Sequence, residues 1–347
     1  MTWTFVTAKE GFSKFAPVWD ELNRRLFKGH PLLDSRFVGP LIQHFATEKD
    51  LLALHHANGS CASALLLTPS RIGVWRSFLP SQTQIAPILP EPGLDLRELA
   101  RKLPGSAFVI EMLCQDPLYT ALAPGRLDLP HEISPHATTL NIQVDGEFQD
   151  YWRKRSEGLR QNIRRTLRHL EKDGIMPDFR IVDSMEELSK ALKRYGDLES
   201  KGWKGKAGTA IHENNTQGCF YQDVLLGFGE QKQAMVVELY LDKHLACSTL
   251  SIANDFMLVM LKTTHDEALR KYSPGRIVDY FHLQHEFSKK RFSVVEFYTN
   301  AKPELLSWGT SSRLINHITL YRSPGLQRLT QLYQLMKALR PLKTSVR

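Results

Sequence analysis

Between Ala234 and Thr263 the chain carries three strand-length apolar segments, Ala234–Leu241, Leu245–Ala253 and Phe256–Thr263, with only a few residues between them. Asn254-Asp255 is a turn signal, and connections this short make successive strands antiparallel neighbours. Tyr272-Ser273-Pro274-Gly275-Arg276 then opens a helix expected to reach Lys290, followed by strands at Ser293–Thr299 and Asn316–Tyr321. Upstream lie a helix at Asp150–Asp173 stopped by Gly174, a strand at Asp178–Val182, and a helix opened by the capping pair Ser184 and Glu187. This order predicts a mixed sheet flanked by helices. The first half repeats the plan more coarsely. Helical spacing runs over Glu10–Phe27, Leu51–His56 and Cys61–Leu67 form a hairpin around Asn58-Gly59, and Gly73–Leu79 and Ala107–Leu113 are further strands. Leu140–Val144 opens the second half.

A chain of 347 residues suits two domains. Its balance of 42% hydrophobic and 24% charged residues belongs to a globular protein and excludes wholesale disorder. No apolar run approaches the ~18 residues of a membrane span. Lys9, Glu10, Lys14 and Asp20 leave no room for a secretory signal, and four scattered cysteines form no CxxC pair. The expected location is the cytoplasm.

The net charge of +8 is concentrated. Residues 151–172 hold eight Lys/Arg against Glu157 and Glu171, and everything after Glu304 holds seven Lys/Arg and no acid. Such patches favour an anionic partner: cofactor phosphates, nucleic acid or a membrane surface. Within the first patch Arg160, Arg164 and Arg168 share one helix face, which binds phosphate or an acidic acceptor, or is simply solvated.

Tyr272, Ser273, Pro274, Gly275 and Arg276 are the candidate cofactor-binding residues. Pro suits a first helical turn, Gly275 lets a ligand approach the backbone, and the helix N-terminus with Arg276 favours an anion such as the diphosphate of coenzyme A. In Glu199-Ser200-Lys201-Gly202-Trp203-Lys204-Gly205, Trp203 offers an aromatic platform and Lys204 a charge on a binding loop. Metal, nucleotide and hydrolase signatures are lacking: there is no HExxH, P-loop, GxGxxG or GxSxG, and His282 and His285 with Glu286 make a poor metal site. With no RNA- or DNA-module motif, only the basic patches speak for nucleic acid.

Arg164-Arg165 with Arg168, the Glu199–Gly205 loop, the Tyr-Ser-Pro-Gly turn and Trp308-Gly309 occur in an order that resembles the GNAT acetyltransferases of the cellulose-biosynthesis (CelD-like) type, relatives of the Fem-type peptidyl transferases. The likeness covers roughly residues 150–320. At Thr299-Asn300-Ala301 and Glu304-Leu305 this sequence departs from that family's pattern, and its Tyr and Lys are missing.

The resemblance implies two GNAT-like α/β (α+β) domains, each a mixed, mostly antiparallel sheet flanked by helices. A degenerate domain would span 1–145, an acyl-CoA-binding one 146–322, and a basic amphipathic helix 323–347. It implies acetyl-CoA or another acyl-CoA as cofactor, no metal, and direct transfer to an amine or hydroxyl of a small-molecule or glycan acceptor. Glu199, Glu296 and Asp266 are then the candidate proton acceptors, and Trp203, Lys204, Arg164, Arg168 and Trp308 the substrate-binding residues. Three alternatives stay open: a Fem-like enzyme using aminoacyl-tRNA (tRNA being then the exception as a nucleic-acid partner), a non-catalytic factor in polysaccharide assembly and, as the outsider, a plain nucleic-acid-binding protein. Leu326, Leu329, Tyr333, Met336 and Leu339 recur at helical spacing among basic residues. Such a helix either packs on the core or lies on an anionic membrane surface at the inner face of the membrane.

Overall fold

The computed structural model describes residues 2–122, 125, 127–202, 205, 208, 210–212 and 214–338. In chain order the strands are β1 (Thr2–Thr7), β2 (Leu51–Ala57), β3 (Ser60–Arg71), β4 (Val74–Ser77), β5 (Ile88–Leu89), β6 (Val109–Gln115) and β7 (His131–Gln143). They continue with β8 (Pro177–Val182), β9 (Ala234–Leu241), β10 (His244–Ala253), β11 (Met257–His265), β12 (Val294–Phe297) and β13 (Ser311–Tyr321). The chain forms two compact units: residues 1–27, 46–136 and 314–347, and residues 28–45 with 137–313.

In the first unit β1 to β4 pair antiparallel in sequence order, β4 pairs β6 in parallel, and β6 pairs β13 antiparallel. Its core joins Leu65, Leu67, Trp75, Leu99, Ile110, Met112 and Leu320. The second unit repeats that plan. Strands β8 to β11 pair antiparallel in sequence order, β11 pairs β12 in parallel, and β12 pairs β7 antiparallel. Strands β9 and β10 are buried along nearly their whole length, in contact with helices Met185–Lys201, Thr216–Gly229 and Pro274–Lys289. Each unit is thus a mixed, mostly antiparallel sheet with flanking helices, the fold class the sequence predicts.

The sequence suggests that residues 1–145 stay together, but residues 28–45 group with the second unit. The reason is the apolar face of helix Ser35–Phe45, where Phe37, Val38, Leu41 and Ile42 are buried. Phe37 and Phe45 meet Phe220 of helix Thr216–Gly229 edge-on at 5.5 and 5.4 Å, and His44 bonds Asp223 at 2.6 Å. Similarly, the helix expected over 150–173 is two helices, Phe148–Arg153 and Glu157–Lys172. Ser156 starts the second, its hydroxyl accepting the Leu159 amide at 3.3 Å.

Helix Pro324–Ala338 begins as expected, while residues 339–347, with Leu339, lie outside the described residues. Gln327 and Gln331 bond His131 and Glu132 of β7. Five of its apolar side chains are left in solvent: Leu329, Leu332, Tyr333, Leu335 and Met336 are each 56–66% exposed.

Candidate functional site

Strands β11 and β12 run side by side for only three residue pairs, Met257–Val294 to Val259–Glu296. Two features end the pairing. β12 stops at Phe297, and β11 bulges, since Leu250 faces Lys262 while Ser251 faces Met260, leaving Leu261 as the extra residue. Beyond this point the strands part around a cleft of about 390 Å³. Met260–Thr263 form one wall and Phe297–Thr299 the other, with Gly275 and Asp279 from helix Pro274–Lys289 and Leu305 from the short helix Pro303–Leu306.

The Ser273–Arg276 turn delivers that helix N-terminus to the cleft. Ser273 is left-handed at φ 46°, Pro274 takes the first helical position, and the Arg276 and Ile277 amides donate to the Ser273 carbonyl at 2.9 and 3.2 Å. A Cβ added at Gly275 would meet nothing within 4 Å, so the backbone there is open to a ligand. Tyr272 is buried and anchors the turn instead of facing the cleft: its hydroxyl donates to Asp173 at 2.5 Å, alongside Lys271 at 3.2 Å. The Tyr272 bond, and then Lys271, hold the Asp173 carboxyl below its usual range.

The three carboxylates expected as proton acceptors are engaged elsewhere. Glu199 is buried and accepts the Ile211 amide at 2.8 Å and the Lys262 ammonium at 3.1 Å; Lys262 in turn lines the cleft. Glu296 is fully buried between Arg313 at 2.9 Å and the Asn141 amide at 3.2 Å. Asp266 caps the turn after β11, accepting the Ala268 amide at 2.8 Å.

Asp279 is the cleft carboxyl that sequence reasoning missed. It is half-buried, and burial pushes its pKa up to about 7, with no side-chain hydrogen bond among the described residues to offset it. The available signal was its spacing: Asp279 follows Gly275 by four residues, hence on the same helix face.

Of the expected substrate-binding residues, Trp203 and Lys204 lie outside the described residues. Arg164 and Arg168 are exposed on helix Glu157–Lys172, opposite the buried Leu159, Ile163 and Leu170, and Arg168 bonds the Arg164 carbonyl at 3.4 Å. Trp308 is buried in the core, its ring 5.7 Å from that of Trp152 and its carbonyl accepting the Tyr151 hydroxyl at 2.7 Å.

Residues 157–303 match the family described as acetyltransferase (GNAT) domain. The parting of β11 and β12, the Ser273–Arg276 turn and Asp279 all fall within that span. No curated protein matches the chain by sequence. Among solved structures, FemX superposes with a TM-score of 0.60 at 10% identity, over 97% of this chain and 100% of that one. The C-terminal domain (DUF2156) of a putative lysylphosphatidylglycerol synthetase from Agrobacterium fabrum gives 0.53 at 11% identity, over 90% and 97%. A conserved protein of unknown function from Bacteroides thetaiotaomicron gives 0.53 at 10%, over 92% and 99%. At such identities the likeness is one of fold.

Proposed function

We propose that the protein is an acyl-CoA-dependent N- or O-acyltransferase whose donor site is the cleft between β11 and β12. The observation that carries this is the cleft itself, within the GNAT-matching span, with an open glycine at the helix N-terminus and a carboxyl titrating near neutrality. The donor set fits coenzyme A: Gly275 and the helix N-terminus receive its diphosphate, Arg276 adds positive charge, and the walls between the strands are largely apolar. The bound thioester supplies an activated acyl group. Asp279 takes the proton of the attacking amine or hydroxyl, because its pKa matches the working range of a general base. Glu199 holds Lys262 against the wall, where the ammonium orients a polar acceptor. We place the acceptor among sugars, polysaccharide precursors and amino compounds, and the protein in the cytoplasm. The exposed apolar face of helix Pro324–Ala338 supports peripheral contact with an anionic membrane.

A Fem-like donor, aminoacyl-tRNA, is the second proposal, supported by the likeness to FemX over the whole chain and the exposed Arg164–Arg168 face. Calorimetry separates the two. Under the first proposal acetyl-CoA binds and tRNA does not, and Gly275→Leu weakens coenzyme A at least tenfold, about 1.4 kcal/mol. That variant keeps its fold, since Gly275 is helical and its new Cβ meets no atom. A folded Gly275→Leu protein that binds as tightly as the wild type overturns the donor assignment.

A further inference from the structure

Three residues that the chain keeps far apart, Cys114, His136 and His317, converge in the first unit, each offering a donor atom within 4.8 Å of the other two. They come from neighbouring strands β6, β7 and β13, with β13 in the middle. The His136 and His317 ring centroids are 4.5 Å apart.

The backbone is bent to make this meeting. Asn316 faces Gln115 while Ile318 faces Met112, so Leu113 and Cys114 together oppose His317 as a β-bulge. Cys114 sits at φ 45°, a conformation that a residue with a Cβ adopts at a cost. The Cys114 amide donates to His317 Nδ1 at 3.0 Å, orienting the ring beside the thiol. The location has a counterpart in the second unit. Counting from the parallel pairs, Arg76–Glu111 in one unit and Val259–Glu296 in the other, Cys114 occupies the place of Thr299, which lines the cleft. The first unit therefore carries a sulfur and two imidazoles where the second carries its cleft wall.

This is not a nucleophilic dyad. Burial pushes the Cys114 thiol up to about 11, and burial followed by the His136 charge lowers His317, so neither group is ionised in a way that activates the other.

We infer that Cys114, His136 and His317 form a binding site for a borderline-soft divalent metal ion, zinc by its donor chemistry. One sulfur and two imidazole nitrogens are a tetrahedral zinc set with one position left for water. Tetrahedral zinc holds its donors roughly 3.5 Å apart, so side-chain rotation of about an ångström closes the set. Loading needs a lone pair on one nitrogen of each imidazole and a thiolate, so the Cys114 thiol gives up its proton to solvent as the metal binds. His136 is exposed, so the ion enters from solvent, and once bound it ties three strands together.

The test is a titration of the full, metal-stripped chain with Co²⁺, followed by Zn²⁺ competition. One equivalent should produce visible d–d bands and a near-ultraviolet thiolate-to-cobalt charge-transfer band, both removed by Zn²⁺, and Zn²⁺ should raise the melting temperature. Cys114→Ser should abolish the charge-transfer band. His136→Gln, on the surface and without cost to folding, should weaken binding at least tenfold. No charge-transfer band in the wild-type chain overturns the inference. So does a band that persists in Cys114→Ser, which would come from the half-buried Cys61 or Cys219. An unaltered affinity in His136→Gln overturns it as well.

Discussion

Asp279 lies one turn beyond Gly275, and its environment sets both its chemistry and its cost to the fold. Its pKa is about 7 in the folded chain against the ordinary 3.8. Between those values the native state holds a proton that the unfolded state has lost. The stabilisation is complete below about pH 4 and fades as the pH rises through 7. Asp279→Asn removes that dependence. The variant should be more stable than wild type at pH 8.5, by a few kcal/mol with about 4 as the upper limit, and nearly equal to it at pH 4. Denaturant melts across this range check the sign, and a variant less stable at pH 8.5 contradicts it. If Asp279 is also the proton acceptor, kcat/KM for acyl transfer falls by roughly 10²–10⁴-fold in the same variant. The other candidate carboxylates behave differently: Glu199 and Glu296 are buried and already paired with the half-buried Lys262 and Arg313, so removing either breaks an ion pair.

At the scale of elements, helix Pro324–Ala338 is the piece whose chemistry is least satisfied within its own unit. Two glutamines fasten it to β7, yet Leu332, Leu335 and Met336 face water. Nearby in the same unit, Ile72 is 99% exposed at the β3–β4 turn beside Arg71, and Phe108 is 47% exposed under Arg322. Apolar tips flanked by cations, with no acid in the sequence after Glu304, suit an anionic bilayer surface. The wild-type chain should sediment with vesicles containing anionic lipid at low salt and not with neutral ones. Replacing Leu332 and Met336 together by Ser should weaken that binding at least tenfold without a change in melting temperature, because both are already solvated. Absence of sedimentation at low salt would end the membrane proposal.

At the scale of the whole molecule, residues 28–45 decide how the chain can be divided. Helix Ser35–Phe45 covers Phe220, which is fully buried, so Phe220→Ala should cost about 3–5 kcal/mol in the full chain. A fragment starting at residue 146 lacks both that helix and β7. It should express as an unfolded or aggregated product, measurable by circular dichroism and size-exclusion chromatography. A stable monomeric fragment would show that the second unit can do without them. Much of the fold was legible in the sequence. The apolar periods of β9, β10 and β11, the Pro-Gly helix start and the Gly174 stop are local signals, and local sterics and hydrogen bonding determine them whatever the rest of the chain does. Those signals also fixed the α/β class and led to the Ser273–Arg276 turn. Tertiary structure alone decided the rest. Glu199 is tied to Lys262, Trp308 is core, helix Ser35–Phe45 joins the later unit, and Cys114, His136 and His317 meet across three strands. None of these is written in spacing along the chain, because a buried charge takes whichever partner the packed sheet brings within reach, and sheet pairing joins residues two hundred positions apart as readily as neighbours.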